Sequence, residues 1–229
     1  MTDLLVISAA TSDSGGTFPQ YREQLAAAGV PLHVEHLDPA LGPPDATIGA
    51  TLPHIRRLAD QFSSYSRLVM TDAFDVSFFG TKEDVIAKIP TDRVLWAAEK
   101  NCFTDPHMAT PIAARYPERG PHFYANGGVL AGTPQMIYEW TERVERHHLY
   151  APFFINQTFL NILLADGAEF MQVDWQTSLF FCLYSGYPEL EFERGFPVNV
   201  TWRTHPNFIH ASGAWPTAEM WEKHRRSLA

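Results

Sequence analysis

The sequence predicts an α/β fold: a mixed, mostly parallel sheet flanked by helices, with a smaller antiparallel part in the second half. Three observations carry this. Short apolar runs alternate with segments of helical period through the first hundred residues. Turn-forming Gly, Pro, Ser and Asp fall between them. The chain has 229 residues and is 45% hydrophobic, enough to bury roughly 70% of its unfolded surface in one core.

Leu4-Leu5-Val6-Ile7 is an apolar run stopped by the polar stretch Thr11 to Gly16, hence a first strand. Tyr21, Leu25 and Ala28 recur at helical spacing, and Gly29 ends that helix. Residues 30–34 read as a second strand. A Pro- and Gly-rich loop follows at 38–45. Ile55, Leu58 and Phe62 mark a second helix, residues 68–70 a third strand, 82–87 a short helix and 94–98 a fourth strand. Such βαβ alternation gives parallel pairing with helices on both faces. Beyond residue 100 the signals mix: a strand with a glycine kink at 124–130, helices at 136–147 and 156–164, and short strands at 170–173, 179–182, 198–200 and 208–210. A helix at 218–228 closes the chain. No repeat or linker interrupts it, so the expectation is one domain over 1–229, with a nucleotide-binding half (1–100) and a sugar- and acceptor-binding half (101–229).

Net charge is −9. This disfavours nucleic acid and anionic lipid as partners, while leaving a local basic groove open. No run approaches the ~18 apolar residues of a membrane helix. No leader pattern precedes the first strand, so a cytoplasmic protein is expected. Cys102 and Cys182, far apart, are expected as buried free thiols.

Three constellations carry chemistry. In Thr71-Asp72-Ala73-Phe74-Asp75-Val76, two carboxylates flank an aromatic anchor where a strand leaves the sheet. Ligands on such sheets bind beyond the strand C-termini, and paired carboxylates suit a hard divalent cation. Asp is also a common turn residue, which is the competing explanation. Asn126-Gly127-Gly128-Val129 sets two glycines inside an apolar run, which serves either a β-bulge or close approach of a ligand. Ile209-His210-Ala211-Ser212-Gly213 ends a short strand on an imidazole followed by small residues. A histidine so placed is more often a hydrogen-bonded structural residue than a ligand; beside two carboxylates it would complete a mixed N/O site, which suits Mn²⁺ somewhat better than Mg²⁺. His147-His148 and the run 223–226 read as solvated faces. Phosphate-loop, Gly-x-Gly-x-x-Gly, zinc-spacing and Gly-x-Ser-x-Gly motifs are absent.

Taken in order, these segments resemble the glycosyltransferase domain of procollagen lysyl hydroxylases and related collagen-type glycosyltransferases, which have the Rossmann-like GT-A fold. Residues 4–11 are similar to the family's first strand and its nucleotide-contacting end. Asp72-Ala73-Phe74-Asp75-Val76 is similar to its Asp-x-Tyr-Asp-Val metal motif, and Ala97 to Phe103 to its Ser-Ala-Glu-x-x-Cys-Trp segment. Tyr116-Pro117, Asn126-Gly127-Gly128, Asn156-Gln157, Val173-Asp174, Phe180-Phe181 and His210 to Gly213 also have counterparts.

The resemblance implies a UDP-sugar donor (UDP-glucose or UDP-galactose) and Mn²⁺ or Mg²⁺ held by Asp72, Asp75 and His210. Ser8, Ala9, Ala10, Thr11, Thr71 and Ala73 are expected near the nucleotide. Asn126, Gly127, Gly128, Asn156 and Gln157 are expected near the sugar and acceptor. His210, Ser212 and Gly213 are expected near the phosphates. If the anomer is inverted a base is needed, and Glu99 and Asp174 are the candidates. Three departures stand out. Phe154-Ile155-Asn156 replaces the family's acidic run, Thr51 stands where the family has a lysine that contacts phosphate, and Ser212 replaces Asn. The acceptor is expected to bear a hydroxyl on a protein, glycan, metabolite or hydroxymethylated DNA base. A catalytically degenerate nucleotide-sugar-binding protein is the alternative.

Overall fold

A computed structural model of the chain describes residues 3–13, 15–37, 52–101, 107, 109–120, 122, 124–147, 157–212 and 217–229. Thr51, Cys102, Asn156, Gly213 and the loop at 38–45 lie outside the described residues.

The chain opens with β1 (Leu4–Ala10), α1 (Phe18–Ala27), β2 (Leu32–His36), α2 (Leu52–Gln61) and β3 (Arg67–Asp72). β1 pairs in parallel with both β2 and β3, as the alternation predicts. Next come β4 (Val76–Phe78), α3 (Lys82–Lys88) and β5 (Val94–Glu99). β3 and β5 are not neighbours. After α4 (Ala109–Arg115), β6 (Tyr124–Gly132) inserts between them and runs antiparallel to both. α5 (Pro134–Glu145) and α6 (Gln157–Asp166) precede β7 (Met171–Val173), which lies parallel to β5. The six-stranded sheet has the order β2-β1-β3-β6-β5-β7.

The remaining elements are β8 (Phe180–Cys182), α7 (Leu183–Gly186), β9 (Leu190–Glu193), β10 (Phe196–Asn199), β11 (Phe208–His210) and α8 (Thr217–Ser227). β9 and β10 form an antiparallel hairpin. β11 lies between β4 (antiparallel) and β8 (parallel) in a three-stranded sheet. β4 and β9 were not expected. At three or four residues each, they are too short to show a period.

Alternation along β1 divides the core. Leu5, Ile7 and Ala9 join Leu68, Met70 and Trp96 beneath α2, α5 and α6. Leu4, Val6 and Ala10 join Val69, Leu95 and the α1 side chains Phe18, Tyr21 and Leu25. Each fully buried side chain of this size stabilises the fold by roughly 1.5–3 kcal/mol. α5 starts two residues before the expected 136 because Thr133 caps it, its hydroxyl accepting from Met136 N at 3.1 Å with Pro134 in the first turn.

Two surface readings need correction. His147 packs edge-on against Phe159 and pairs with Asp166 at 3.3 Å, so it is not a solvated side chain. In the run 223–226, Lys223 donates to Leu190 O at 2.7 Å and His224 stacks near Phe79 and Phe192; only Arg225 and Arg226 are exposed. Among the described residues no helix is long and apolar enough to cross a membrane.

Candidate metal centre

The acidic loop is built between β3 and β4 and pinned from two sides. Phe74 turns inward and meets Phe18 edge-on, with ring centroids 6.1 Å apart. The loop after β1 closes over it. Thr17 N donates to Phe74 O at 2.8 Å, and the Thr17 hydroxyl reaches Phe74 O and Val76 O at 3.2 and 3.1 Å. Gly16 has φ +53°, and a Cβ there would sit 2.8 Å from the Phe74 carbonyl carbon, so this crossing excludes a side chain.

On the other side β11 clasps the loop. Val76 pairs with His210, and Ala211 N donates to Asp75 O at 2.7 Å. This pairing carries His210 across 135 residues of sequence to Asp75. His210 Nε2 lies 3.3 Å from Asp75 Oδ2 and 3.5 Å from Asp72 Oδ2. One ligand atom from each of Asp72, Asp75 and His210 falls within 4.8 Å of the others. β6 leaves room beside them. Its register with β5 breaks between Trp96 and Ala97, opposite the Asn126–Leu130 stretch, so the expected bulge is present. The close approach is present too. A Cβ on Gly128 would lie 2.9 Å from His210 Nε2 and closer still to Asp72 Oδ2.

Burial alone would depress the basicity of His210. The Asp75 charge and the hydrogen bonds to Asp72 and Asp75 outweigh it, holding the imidazole well above its ordinary value. Burial likewise raises the Asp75 carboxyl, and the His210 charge and hydrogen bond override it to hold the group below the usual carboxylate range. Buried Asp75 Oδ1 and His210 Nδ1 have no hydrogen-bond partner among the described residues. An imidazolium between two carboxylates is the charge arrangement a divalent cation replaces, with loss of the proton. Bonds of about 2.0–2.6 Å put ligand atoms within roughly 4–5 Å of one another. The three side chains therefore fit such an ion.

A second polar group adjoins this one. Glu99, buried at the end of β5, accepts from Asn126 Nδ2 at 2.5 Å, Gln157 Nε2 at 2.6 Å and Ser212 Oγ at 3.3 Å. Asn126 Oδ1 in turn accepts from Gly128 N at 2.9 Å. Burial raises the Glu99 carboxyl above the ordinary value, although these three bonds and the His210 charge pull it down. The structure thus brings together Glu99, Asn126, Gln157 and Ser212, and links them through Gly128 to the acidic pair. Gly127 faces Gln157, and a Cβ added to it would meet Gln157 N at 3.8 Å.

Of the other expected site residues, Ala73 lies between the two carboxylates and Ala9 pairs with Asp72 across the strands. Ser8 and Thr71 are buried and hydrogen-bond each other at 2.6 Å, with Tyr21 OH 3.1 Å from Thr71. Their hydroxyls are engaged with each other and with Tyr21 of α1. Ala9, Ala10 and Ala73 are buried, and Thr11 is half-buried just past β1. Asp174 accepts from Ser178 N, Ser178 Oγ, Leu179 N and Phe180 N at 2.7–3.0 Å. Both of its oxygens hold the turn into β8, and none of these bonds reaches the Glu99 group. Sequence reasoning missed Thr17, Tyr21, and Glu189, which pairs with Lys100 and, at 3.0 Å, with His122. Partners this remote in sequence leave no motif.

A model of the PLOD GT domain family matches residues 1–218. The chain belongs to the PLOD GT domain family. It is therefore a glycosyltransferase-family member carrying an Asp-Asp-His group able to hold a metal. The chain is similar to a glycosyltransferase involved in the glycosylation of the major capsid of PBCV-1, with TM-score 0.54 and 14% identity over 98% of this chain and 99% of that one. That likeness shows the fold. It is also similar to the bifunctional glycosyltransferase WbbM, with TM-score 0.48 and 12% identity, covering 100% of this chain and 49% of WbbM. No curated protein matches.

Proposed function

We propose that this PLOD GT domain protein is a metal-dependent hexosyltransferase that uses a UDP-sugar and a hydroxyl acceptor. The single observation that carries the reading is the convergence of Asp72, Asp75 and His210 at the C-terminal edge of the sheet, within a glycosyltransferase-family domain. Asp72, Asp75 and His210 would hold the ion, and the imidazole favours Mn²⁺ over Mg²⁺. A divalent ion there supplies charge neutralisation for a departing diphosphate.

The chain's own residues do the rest. Gly128 presents bare backbone beside the ligands, leaving space for the donor. Glu99 fixes the Asn126 and Gln157 amides, and Asn126 fixes the Gly128 N–H, so the sugar side of the site is held in one geometry. Of the two candidate bases, Asp174 has both oxygens engaged in its turn, and Glu99 has both engaged by amides. That supports retention of the anomeric configuration, which needs no base at the acceptor hydroxyl.

The test is UDP release with Mn²⁺ from UDP-glucose, UDP-galactose and their N-acetyl forms. Metal-dependent release from one donor is expected. Tight UDP binding with no release from any donor favours binding without transfer, the outcome to which the Asn156 departure points. No metal-dependent binding of UDP or any of the donors overturns the reading.

A further inference from the structure

A cavity of about 560 Å³ lies at the β7 edge of the large sheet and is lined by Arg93, Arg115 and Arg119. Arg93 immediately precedes β5, whose far end carries Glu99. The six steps from Arg93 to Glu99 span roughly 20 Å at ~3.3 Å per residue, so this end of the cavity is remote from the metal centre. Three arginines in one cavity run against the net charge of −9. Glu169 is the one carboxylate in the described lining.

The arginines differ in their engagement. Arg93 is paired with its neighbour Asp92 at 2.5 Å. Arg115 is exposed; its Nε donates to Ala165 O at 3.0 Å, and it makes no ion pair among the described residues. Arg119 is nine-tenths buried, with its guanidinium carbon 3.4 Å over the Tyr116 ring. Its nearest carboxylate, Glu118, is 3.9 Å from Nε, and Nη1 has no hydrogen-bond partner among the described residues. A guanidinium removed from water with an unfilled donor is costly; Nη1 is shut off from solvent as the side chain stands, so an oxyanion supplies the missing acceptor once the guanidinium turns toward the cavity. Planar guanidinium forks match phosphate oxygens two at a time.

We propose that this cavity binds a phosphorylated small molecule, its phosphoryl group taken by Arg115 and Arg119 and its body lying against Tyr116 and Met171. The volume falls within the roughly 300–1,000 Å³ of small-molecule sites and exceeds what a bare phosphate fills. The site is independent of the metal centre and of the function proposed above.

The experiment is a thermal-shift and calorimetric titration of the full chain with glucose 6-phosphate. Inorganic phosphate, glucose, glucuronate and sodium chloride at matched ionic strength are the comparison probes. A saturable rise in Tm is expected with glucose 6-phosphate, a weaker one with inorganic phosphate, and none with glucose or chloride. Arg115→Gln, at an exposed position, should keep the unliganded Tm and weaken binding by roughly tenfold or more, the loss of one charge-assisted bond. Asp75→Ala should bind glucose 6-phosphate as the wild type does. Equal binding by wild type and Arg115→Gln overturns the proposal, as does the absence of saturable binding. Loss of binding in Asp75→Ala would put the anion at the metal centre instead, and an equal response to glucuronate would remove the phosphoryl class.

Discussion

Gly128 offers the sharpest test of how the site is assembled. An alanine Cβ at this position would stand 2.9 Å from His210 Nε2 and closer to Asp72 Oδ2, whereas ordinary contact begins at 3.4 Å. Two of the three ligands must therefore retreat by about 0.5 Å or more, against a metal-bond tolerance of about 0.2 Å. Overpacking of this kind costs about 1–3 kcal/mol, or roughly 2–4 °C of Tm per kcal/mol in a chain of this size. Mn²⁺ affinity should fall by at least the roughly 10–100-fold seen when a ligand's support is disturbed. Gly127→Ala is the internal control, since its Cβ would meet Gln157 N at 3.8 Å, an ordinary contact. Calorimetric Mn²⁺ titration of the two variants separates them. Wild-type affinity in Gly128→Ala, or equal losses in both variants, refutes the reasoning.

Three further outcomes follow from the same geometry. Asp174→Ala removes four hydrogen bonds and strands the Leu179 and Phe180 amides, so urea unfolding should show a loss of about 3 kcal/mol or more while Mn²⁺ binding persists; lost Mn²⁺ binding in a folded variant contradicts this. Burial holds the Glu99 carboxyl above its ordinary value, so the folded chain keeps a proton the unfolded chain has lost, and this contribution to stability falls as pH rises from the ordinary glutamate value through the raised one. Glu99→Gln should abolish that component, and identical stability-against-pH slopes in the two proteins argue against it. Burial pushes the Cys182 thiol up to about 11, so alkylation followed by peptide mapping at neutral pH should label Cys182 only after unfolding; rapid native labelling contradicts its burial.

Much of this architecture is legible in the sequence because long apolar runs and helical spacing are local signals. β1, α1, α2, β3 and β5 all fall where period and turn chemistry put them. The acidic pair is legible for the same reason, as it follows a buried strand directly. The antiparallel insertion of β6 between β3 and β5 is not, because pairing partners are chosen by the whole sheet rather than by the strand. Ser8 and Thr71 show a signal passed over. Period-two alternation puts Ser8 on the face of Leu4 and Val6, toward α1, and the register pairs Ser8 with Thr71. The β9–β10 hairpin also left a trace, Arg194-Gly195, two residues at positive φ between short strands. The resemblance named Glu99, Asn126, Gln157 and Ser212 singly, but their hydrogen bonding to one another could not be read, because they come from β5, β6, α6 and the residues after β11.

The most direct measurement is the electron paramagnetic resonance of Mn²⁺ titrated into the wild type and Asp75→Ala, with circular dichroism to verify folding. One saturable Mn²⁺ site per wild-type chain is expected, with its loss in a folded Asp75→Ala variant. Undiminished Mn²⁺ binding without the Asp75 carboxylate would contradict it.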